Sequence, residues 1–317
     1  MVSKLKILSG NANPELATEI ASLAGIPLSE TEVFKFSNDE SFAKINDNVR
    51  GSDVFVIQPT CYPVNDNVME LLIIIDALKR ASAARINCVI PYYGYGRSDK
   101  KDQPRVPISA KLVANLITIA GANRVITLDL HTDQIQGFFD IPVDHLFSTN
   151  IFVRYFKDLG FSSNDMVVVS PDSGGANRAR AFAKRLDCAL AIGDKRRQGN
   201  DSNAEVLHVI GDVTDKIAIL YDDIIDTGST LIKVAAKLKE QGAKQVYACC
   251  VHGVLSRNAT ENIENSTIDR LFITNTIPLI DEKKVKTKKI TQLSVAELLA
   301  AAIKKIHAEE SISMLFR

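Results

Sequence analysis

Residues 217–230 read Ile217-Ala218-Ile219-Leu220-Tyr221-Asp222-Asp223-Ile224-Ile225-Asp226-Thr227-Gly228-Ser229-Thr230. An apolar, β-branched run gives way to paired acids. A short hydroxyl-rich turn then opens a helical pattern over residues 229–241, with Gly242 as its stop. A strand that feeds a helix in this way is one unit of a parallel α/β sheet. The spacing delivers Asp222 and Asp223 at the end of a buried strand, as acceptors for sugar hydroxyls. Thr227, Gly228, Ser229 and Thr230 offer N–H groups and hydroxyls at a helix N-terminus, where the dipole favours an anion. Acids beside a phosphate nest suit a pentose 5-phosphate. The plainer alternative is a capped helix after a strand, because Asp and Thr are also good N-caps.

Outward from this stretch, strand-like and helical runs alternate. Residues 54–58, 86–91, 124–130, 166–170, 189–192, 246–251 and 270–274 read as strands; 66–81, 109–120 and 176–186 read as helices. Repeated β-α-β order predicts parallel sheets flanked by helices, with sites at the carboxyl ends of strands. Residues 54–91 and 217–252 share the order strand, loop, long helix, strand. Two related domains, 1–147 and 148–317, account for this; the other account is that any two α/β units look alike. The first copy carries Pro59-Thr60-Cys61-Tyr62-Pro63 where the second has its hydroxyl-rich turn. Only the second half is therefore expected to hold a sugar phosphate. Residues 94–107 and 196–204 are polar, bear Gly or Pro, and read as mobile flaps.

Bulk properties narrow the class. The chain has 317 residues, 46% of them apolar, enough for two medium domains. Lys and Arg total 38, as do Asp and Glu, so composition gives no support for non-specific nucleic-acid binding. The five cysteines (Cys61, Cys88, Cys188, Cys249, Cys250) form no Cys-x-x-Cys, which argues against a disulfide framework or thiolate zinc and suits a reducing compartment. No signal-peptide core or bilayer-length apolar run is visible, so a cytoplasmic location and no membrane partner are expected.

Other motifs bear chemistry. There is no P-loop, and Gly94 and Gly96 begin a Gly-x-Gly-x-x-Gly that Asp99 breaks. Asp129-Leu130-His131 closes a strand and sets His131 at a sheet edge, either beside a metal or as a hydrogen-bonded structural residue. Ser170-Pro171-Asp172-Ser173-Gly174-Gly175 is another strand-end turn, in which Asp172 holds Mg²⁺ or its water, or simply caps an Asx turn. Lys195-Arg196-Arg197 follows a short strand. It is a clamp for transferring phosphoryl oxygens or a solvated basic turn. Arg97-Ser98-Asp99-Lys100-Lys101 raises the same two readings.

The 222–230 wording resembles the phosphoribosyl-diphosphate (PRPP) loop common to phosphoribosyltransferases and ribose-phosphate diphosphokinases. The remaining motifs resemble the class I ribose-phosphate diphosphokinases nearly end to end. They include Ser9-Gly10-Asn11-Ala12-Asn13-Pro14-Glu15, Asn65-Asp66-Asn67, residues 91–99, residues 129–140, residues 170–175, Lys195-Arg196-Arg197 and Glu309-Glu310-Ser311-Ile312-Ser313. The resemblance implies two phosphoribosyltransferase-like α/β domains. It implies Mg²⁺-dependent transfer of the diphosphoryl group of ATP to the C1 hydroxyl of ribose 5-phosphate, giving PRPP and AMP. Lys195 and Arg197 match the catalytic flap cations. Asp222, Asp223, Asp226, Thr227, Gly228, Ser229 and Thr230 match the ribose 5-phosphate site. Phe36, Asn38, Asp39, Glu40, Arg97, Ser98 and Asp99 fall at the ATP site, and His131 and Asp172 at the metal-associated positions. A homo-oligomer, a hexamer built from dimers, is implied, with phosphate and ADP as effectors.

Two positions depart from the family pattern. Asp39 stands where Gly is usual, and Ser98 where Gln is usual. Both fall at the nucleotide pocket and point to weaker or less adenine-selective binding. Two rival functions are a phosphoribosyltransferase, which would consume PRPP, and a catalytically silent associated subunit.

Overall fold

The structure, a computed structural model, describes residues 4–197, 205–285 and 287–316. It divides into two compact units: Met1–Phe147 with Thr276–Pro278 and Ser294–Arg317, and Ser148–Asn275 with Leu279–Leu293.

The first unit runs β1 (Leu5–Ser9), α1 (Pro14–Ala24), β2 (Thr31–Lys35), β3 (Ser41–Ile45), β4 (Asp53–Ile57), α2 (Val64–Arg80), β5 (Arg85–Ile90), α3 (Ser109–Ala120), β6 (Arg124–Leu128) and β7 (Val143–Leu146). Five parallel strands lie in the order β1-β4-β5-β6-β7. Every residue of β4 is buried, which requires cover on both faces of the sheet. α2 meets that need with buried Val68, Leu71, Ile75 and Leu78 at helical spacing. β2 and β3 form a separate antiparallel hairpin.

The second unit runs α4 (Thr149–Asp158), β8 (Met166–Ser170), α5 (Ala176–Leu186), β9 (Ala189–Arg197), β10 (Glu205–Ile210), β11 (Ile217–Ile225), α6 (Ser229–Glu240), β12 (Gln245–Gly253), α7 (Ala259–Glu264), β13 (Arg270–Thr274), α8 (Asp281–Val285) and β14 (Ile290–Leu293). Its sheet order is β10-β9-β8-β11-β12-β13-β14, parallel throughout except for β10 against β9. Alternate side chains serve opposite layers. Val167, Val169, Ala218 and Leu220 join Leu231, Val234 and Leu238 of α6. Val168, Ile219 and Tyr221 join Phe152 and Phe156 of α4 and Phe182 of α5.

The two units repeat one plan. The order β1-α1-β2-β3-β4-α2-β5-α3-β6-β7 matches β8-α5-β9-β10-β11-α6-β12-α7-β13-β14, apart from α8, and the sheets share the strand order of the matching members. The chain's last helix, α9 (Ala296–His307), which a linear division assigns to the second half, belongs with the first unit and packs on α1. Buried Asp53 fastens it. One carboxylate accepts from Arg85 Nε (2.9 Å) and Asn87 Nδ2 (2.8 Å) and lies 2.8 Å from His307 Nδ1. Burial pushes the Asp53 pKa up, but the hydrogen bonds from Arg85, His307 and Asn87 outweigh it and hold the carboxyl below its ordinary range.

Several boundaries differ from the sequence reading. β9 continues past Ile192 to Arg197 because β10 pairs with it along six residues. β11 continues through the acids to Ile225, since Ile224 and Ile225 still pair with His252 and Gly253. Asp222 and Asp223 therefore lie within the strand rather than beyond it. β6 stops at Leu128, and the chain turns at Asp129 with φ of 39°.

Candidate active site

In the second unit the carboxyl end of β11 and the start of α6 build the sugar-phosphate side. Asp223 is buried, and Asp222 half-buried. Asp222 Oδ1 accepts the Asp223 N–H at 2.9 Å. Arg178, on the first turn of α5, reaches Asp223 Oδ1 at 2.6 Å and lies 4.0 Å from Asp222 Oδ1. Burial, then the hydrogen bond and charge of Asp223, push the Asp222 carboxyl well above the ordinary range; Arg178 only partly opposes this. Two crowded carboxylates thus share one cation. Sequence reading missed Arg178, which looks like any polar position of an amphipathic helix.

Gly228 occupies the N-cap of α6 with φ of 75°, a left-handed conformation that suits glycine. No side chain caps this helix, and no acid sits in its first turn. Thr227 Oγ1 and Ser229 Oγ lie 3.2 Å apart. Asp226 and Leu255 fix the chain on either side: Ser256 N donates to Asp226 O, and Leu255 N to Ile225 O. A turn with hydroxyls at the N-terminus of a helix is chemically suited to an anion.

In the same unit, Asp172 lies in the exposed turn after β8. Its Oδ1 accepts from Gly175 N at 3.0 Å, the Asx turn allowed by the sequence. β8 and β11 are parallel neighbours, so this turn and the acid pair leave the same sheet edge, joined through Arg178. Lys195 and Arg197 are residues of β9, paired with Leu207 and Glu205. Their side chains, and all of residues 198–204, lie outside what the structure describes.

In the first unit, Phe36, Asn38, Asp39 and Glu40 form the tip between β2 and β3. Phe36 N donates to Glu40 O at 2.8 Å, and Asp39 has φ of 67°. Phe36 meets Phe34 and Phe42 edge-on, with centroids 5.3 and 5.5 Å apart, and is 47% exposed. That leaves a ring available for stacking. Arg97, Ser98 and Asp99 lie in the loop between β5 and α3. Both segments converge on the N-terminus of α2: Lys35 Nζ donates to Asp66 Oδ2 at 2.7 Å, and Tyr95 donates its hydroxyl to Asn65 Oδ1. His131 follows β6 in a turn where Leu130 N donates to His145 Nε2 at 2.9 Å and Thr132 Oγ1 donates to Asp99 Oδ2 at 2.7 Å. The loop read as a flap is thus anchored over its first half.

Comparison with known proteins fixes the family. Residues 5–121 match the N-terminal domain of ribose phosphate pyrophosphokinase, and residues 201–317 match the phosphoribosyl synthetase-associated domain. A ribose-phosphate pyrophosphokinase of Caldanaerobacter subterraneus subsp. tengcongensis is 56% identical, covering 99% of this chain and 98% of the relative. The corresponding Bacillus subtilis protein is 54% identical, with 98% and 97% covered. The crystal structure of phosphoribosylpyrophosphate synthetase from Mycobacterium smegmatis superposes with a TM-score of 0.91 at 42% identity, covering 97% of this chain and all of that one. The chain belongs to the ribose-phosphate pyrophosphokinase family. Its α/β architecture is that of the family, and it is an enzyme of this kind. Asp39 at the hairpin tip holds a left-handed φ, which L side chains rarely adopt and Asp tolerates better than most.

Proposed function

We propose that this ribose-phosphate pyrophosphokinase moves the β,γ-diphosphoryl group of ATP to ribose 5-phosphate, forming PRPP and AMP. The C1 hydroxyl attacks the β-phosphorus in line. The C1 oxygen gives its proton to solvent and forms a new O–P bond as the bond from the β-phosphorus to the α-bridging oxygen breaks, and AMP departs with that oxygen. Such a transfer asks the protein for positioning and charge neutralisation. Asp226, Thr227, Gly228, Ser229 and Thr230 hold the 5-phosphate, and Asp222 and Asp223 the ribose hydroxyls. Lys195 and Arg197 stabilise charge on the transferring group. Phe36, Asn38, Asp39, Glu40, Arg97, Ser98 and Asp99 serve the nucleotide.

The observation that carries this reading is one strand-helix unit, in which half-buried Asp222 and buried Asp223 at the end of β11 lead to a helix start at left-handed Gly228, five residues past Asp223. Mg²⁺ suits the residues assigned to it. The described residues contain no group of three His, Cys, Asp or Glu able to hold a metal. Mg²⁺ keeps its waters and takes one or two carboxylates with the substrate phosphates, a role the exposed Asp172 carboxylate fits. His131, in the turn after β6 of the first unit, is the other position we assign to the metal. When bound, the ion neutralises charge on the β- and γ-oxygens.

The assembly we propose is a homo-oligomer, a hexamer built from dimers, with phosphate and ADP as effectors. The apolar row Leu112, Leu116 and Ile119, exposed on α3, supports association. No helix among the described residues is long and apolar enough to cross a membrane. The five cysteines are free thiols, in keeping with work in the reducing cytoplasm. The test is to incubate the protein with ATP, ribose 5-phosphate and Mg²⁺ and follow phosphorus NMR. AMP and PRPP in equal amounts support diphosphoryl transfer. ADP would mean single-phosphoryl transfer, and no turnover with or without inorganic phosphate would mean a silent subunit.

A further inference from the structure

The Thr132–Asp99 hydrogen bond joins two segments that the proposed reaction uses for different purposes. Asp99 ends the loop that carries Arg97 and Ser98; Thr132 follows His131 directly. The two residues are 33 apart in sequence, and the bond is 2.7 Å, hydroxyl to carboxylate. A hydrogen bond with one charged partner is stronger than a neutral one. Around it the backbone is held on both sides. Ser98 N donates to Tyr95 O (2.9 Å), Ala110 N to Ser98 O (3.2 Å), and Leu130 N to His145 Nε2 (2.9 Å). His145 therefore presents an unprotonated Nε2 to the turn. The Asp99 side chain thus already has a partner within the protein, and its geometry is that of a brace.

We infer that Asp99 serves the nucleotide as a positioning residue, by holding Thr132 and so fixing the Arg97 loop against the His131 turn. The inference rests on the ATP role proposed above for that loop. It also bears on Ser98, whose side chain is too short to replace the amide of a glutamine. In this chain the loop draws its order from the Asp99–Thr132 tie and its backbone bonds instead.

The experiment compares Thr132→Val, which keeps the shape and removes the donor, with Thr132→Ser, which keeps the donor. Two quantities are read: steady-state KM for ATP and for ribose 5-phosphate, and calorimetric affinity for Mg²⁺ with α,β-methylene-ATP. Thr132→Val is expected to raise the ATP KM and weaken analogue binding about tenfold, the scale of one charged hydrogen bond. Ribose 5-phosphate KM stays within twofold, and Thr132→Ser restores ATP binding. A Thr132→Val enzyme with unchanged analogue affinity overturns the inference. So does one in which both substrates weaken equally, since that is general loosening of the fold. Failure of the wild-type chain to form PRPP would instead overturn the functional reading, a separate and recognisable result.

Discussion

At the scale of single residues, the acid pair carries the clearest electrostatic signature. Asp222 has its pKa raised by burial and by Asp223, so near neutrality the folded chain binds more protons than the unfolded chain. Stability must then fall as pH rises above the ordinary Asp value of about 3.9. Asp222→Asn removes that penalty while keeping an acceptor for the Asp223 N–H. In ligand-free protein we expect no gain near pH 4 and a gain of about 1–2 kcal/mol near pH 8, discounted for partial exposure. Melting temperatures across that range decide it; a gain independent of pH would be contrary. Asp39 gives a second case, conformational rather than electrostatic. At φ of 67°, Asp39→Gly should stabilise by about 0.5 kcal/mol, whereas β-branched Asp39→Val should cost about 1–2 kcal/mol. Equal effects in urea unfolding would remove backbone strain as the explanation. The acids and hydroxyls proposed for the site could be picked out because their types announce their chemistry. The φ of Asp39 and the reach of Arg178 could not, since neither leaves a mark in local pattern.

Elements were legible where both faces are buried. β4, β8 and β11 are near-continuous apolar runs, and α2 and α6 carry helical spacing, so both strand and helix type could be read. The β2–β3 hairpin could not. Its inward residues Val33, Ala43 and Ile45 are only partly buried and apolar Phe34 lies on the exposed face, so the apolar-polar alternation is weak, and Asp39 stands where a glycine would have signalled the turn. The ends of strands were set by pairing partners distant in sequence, as with β11 along β12. α5 shows what an element contributes beyond packing. Its inner face buries Ala179, Phe182, Ala183 and Leu186, while its first turn aims Arg178 at Asp223. Arg178→Met leaves a buried carboxylate without that cation and should cost about 2–4 kcal/mol. Adding Asp223→Leu should recover most of the loss, because the charge needing a partner is gone. Strictly additive losses in urea unfolding would show that the pair does not act as a unit.

At the scale of the molecule, the repeated plan makes the difference between the two units informative. The duplication was readable from two strand-helix-strand runs; the exchange of α9 into the first unit was not, because it depends on the buried Asp53 carboxylate finding His307, 254 residues away. The matching sites have diverged chemically. Where the second unit has the Gly228 turn proposed to hold the sugar phosphate, the first has a filled polar network. Gln58 Oε1 accepts from Ala12 N (3.1 Å), and its Nε2 donates to Glu70 Oε1 (2.8 Å), which also accepts from Asn11 N (2.6 Å). A methyl group on Gly10 would lie 2.3 Å from Gln58 Oε1, so there is no room beside this network even for one carbon. A sugar phosphate cannot enter without breaking this network, whose buried Gln58–Glu70 bond is expensive to leave unmade. Calorimetric titration of ribose 5-phosphate should therefore give one site per chain. Gly228→Val, which forces a β-branched residue into the left-handed region, should abolish all of that binding. Two sites per chain, or binding that persists in Gly228→Val, would place sugar-phosphate recognition outside the second unit's loop.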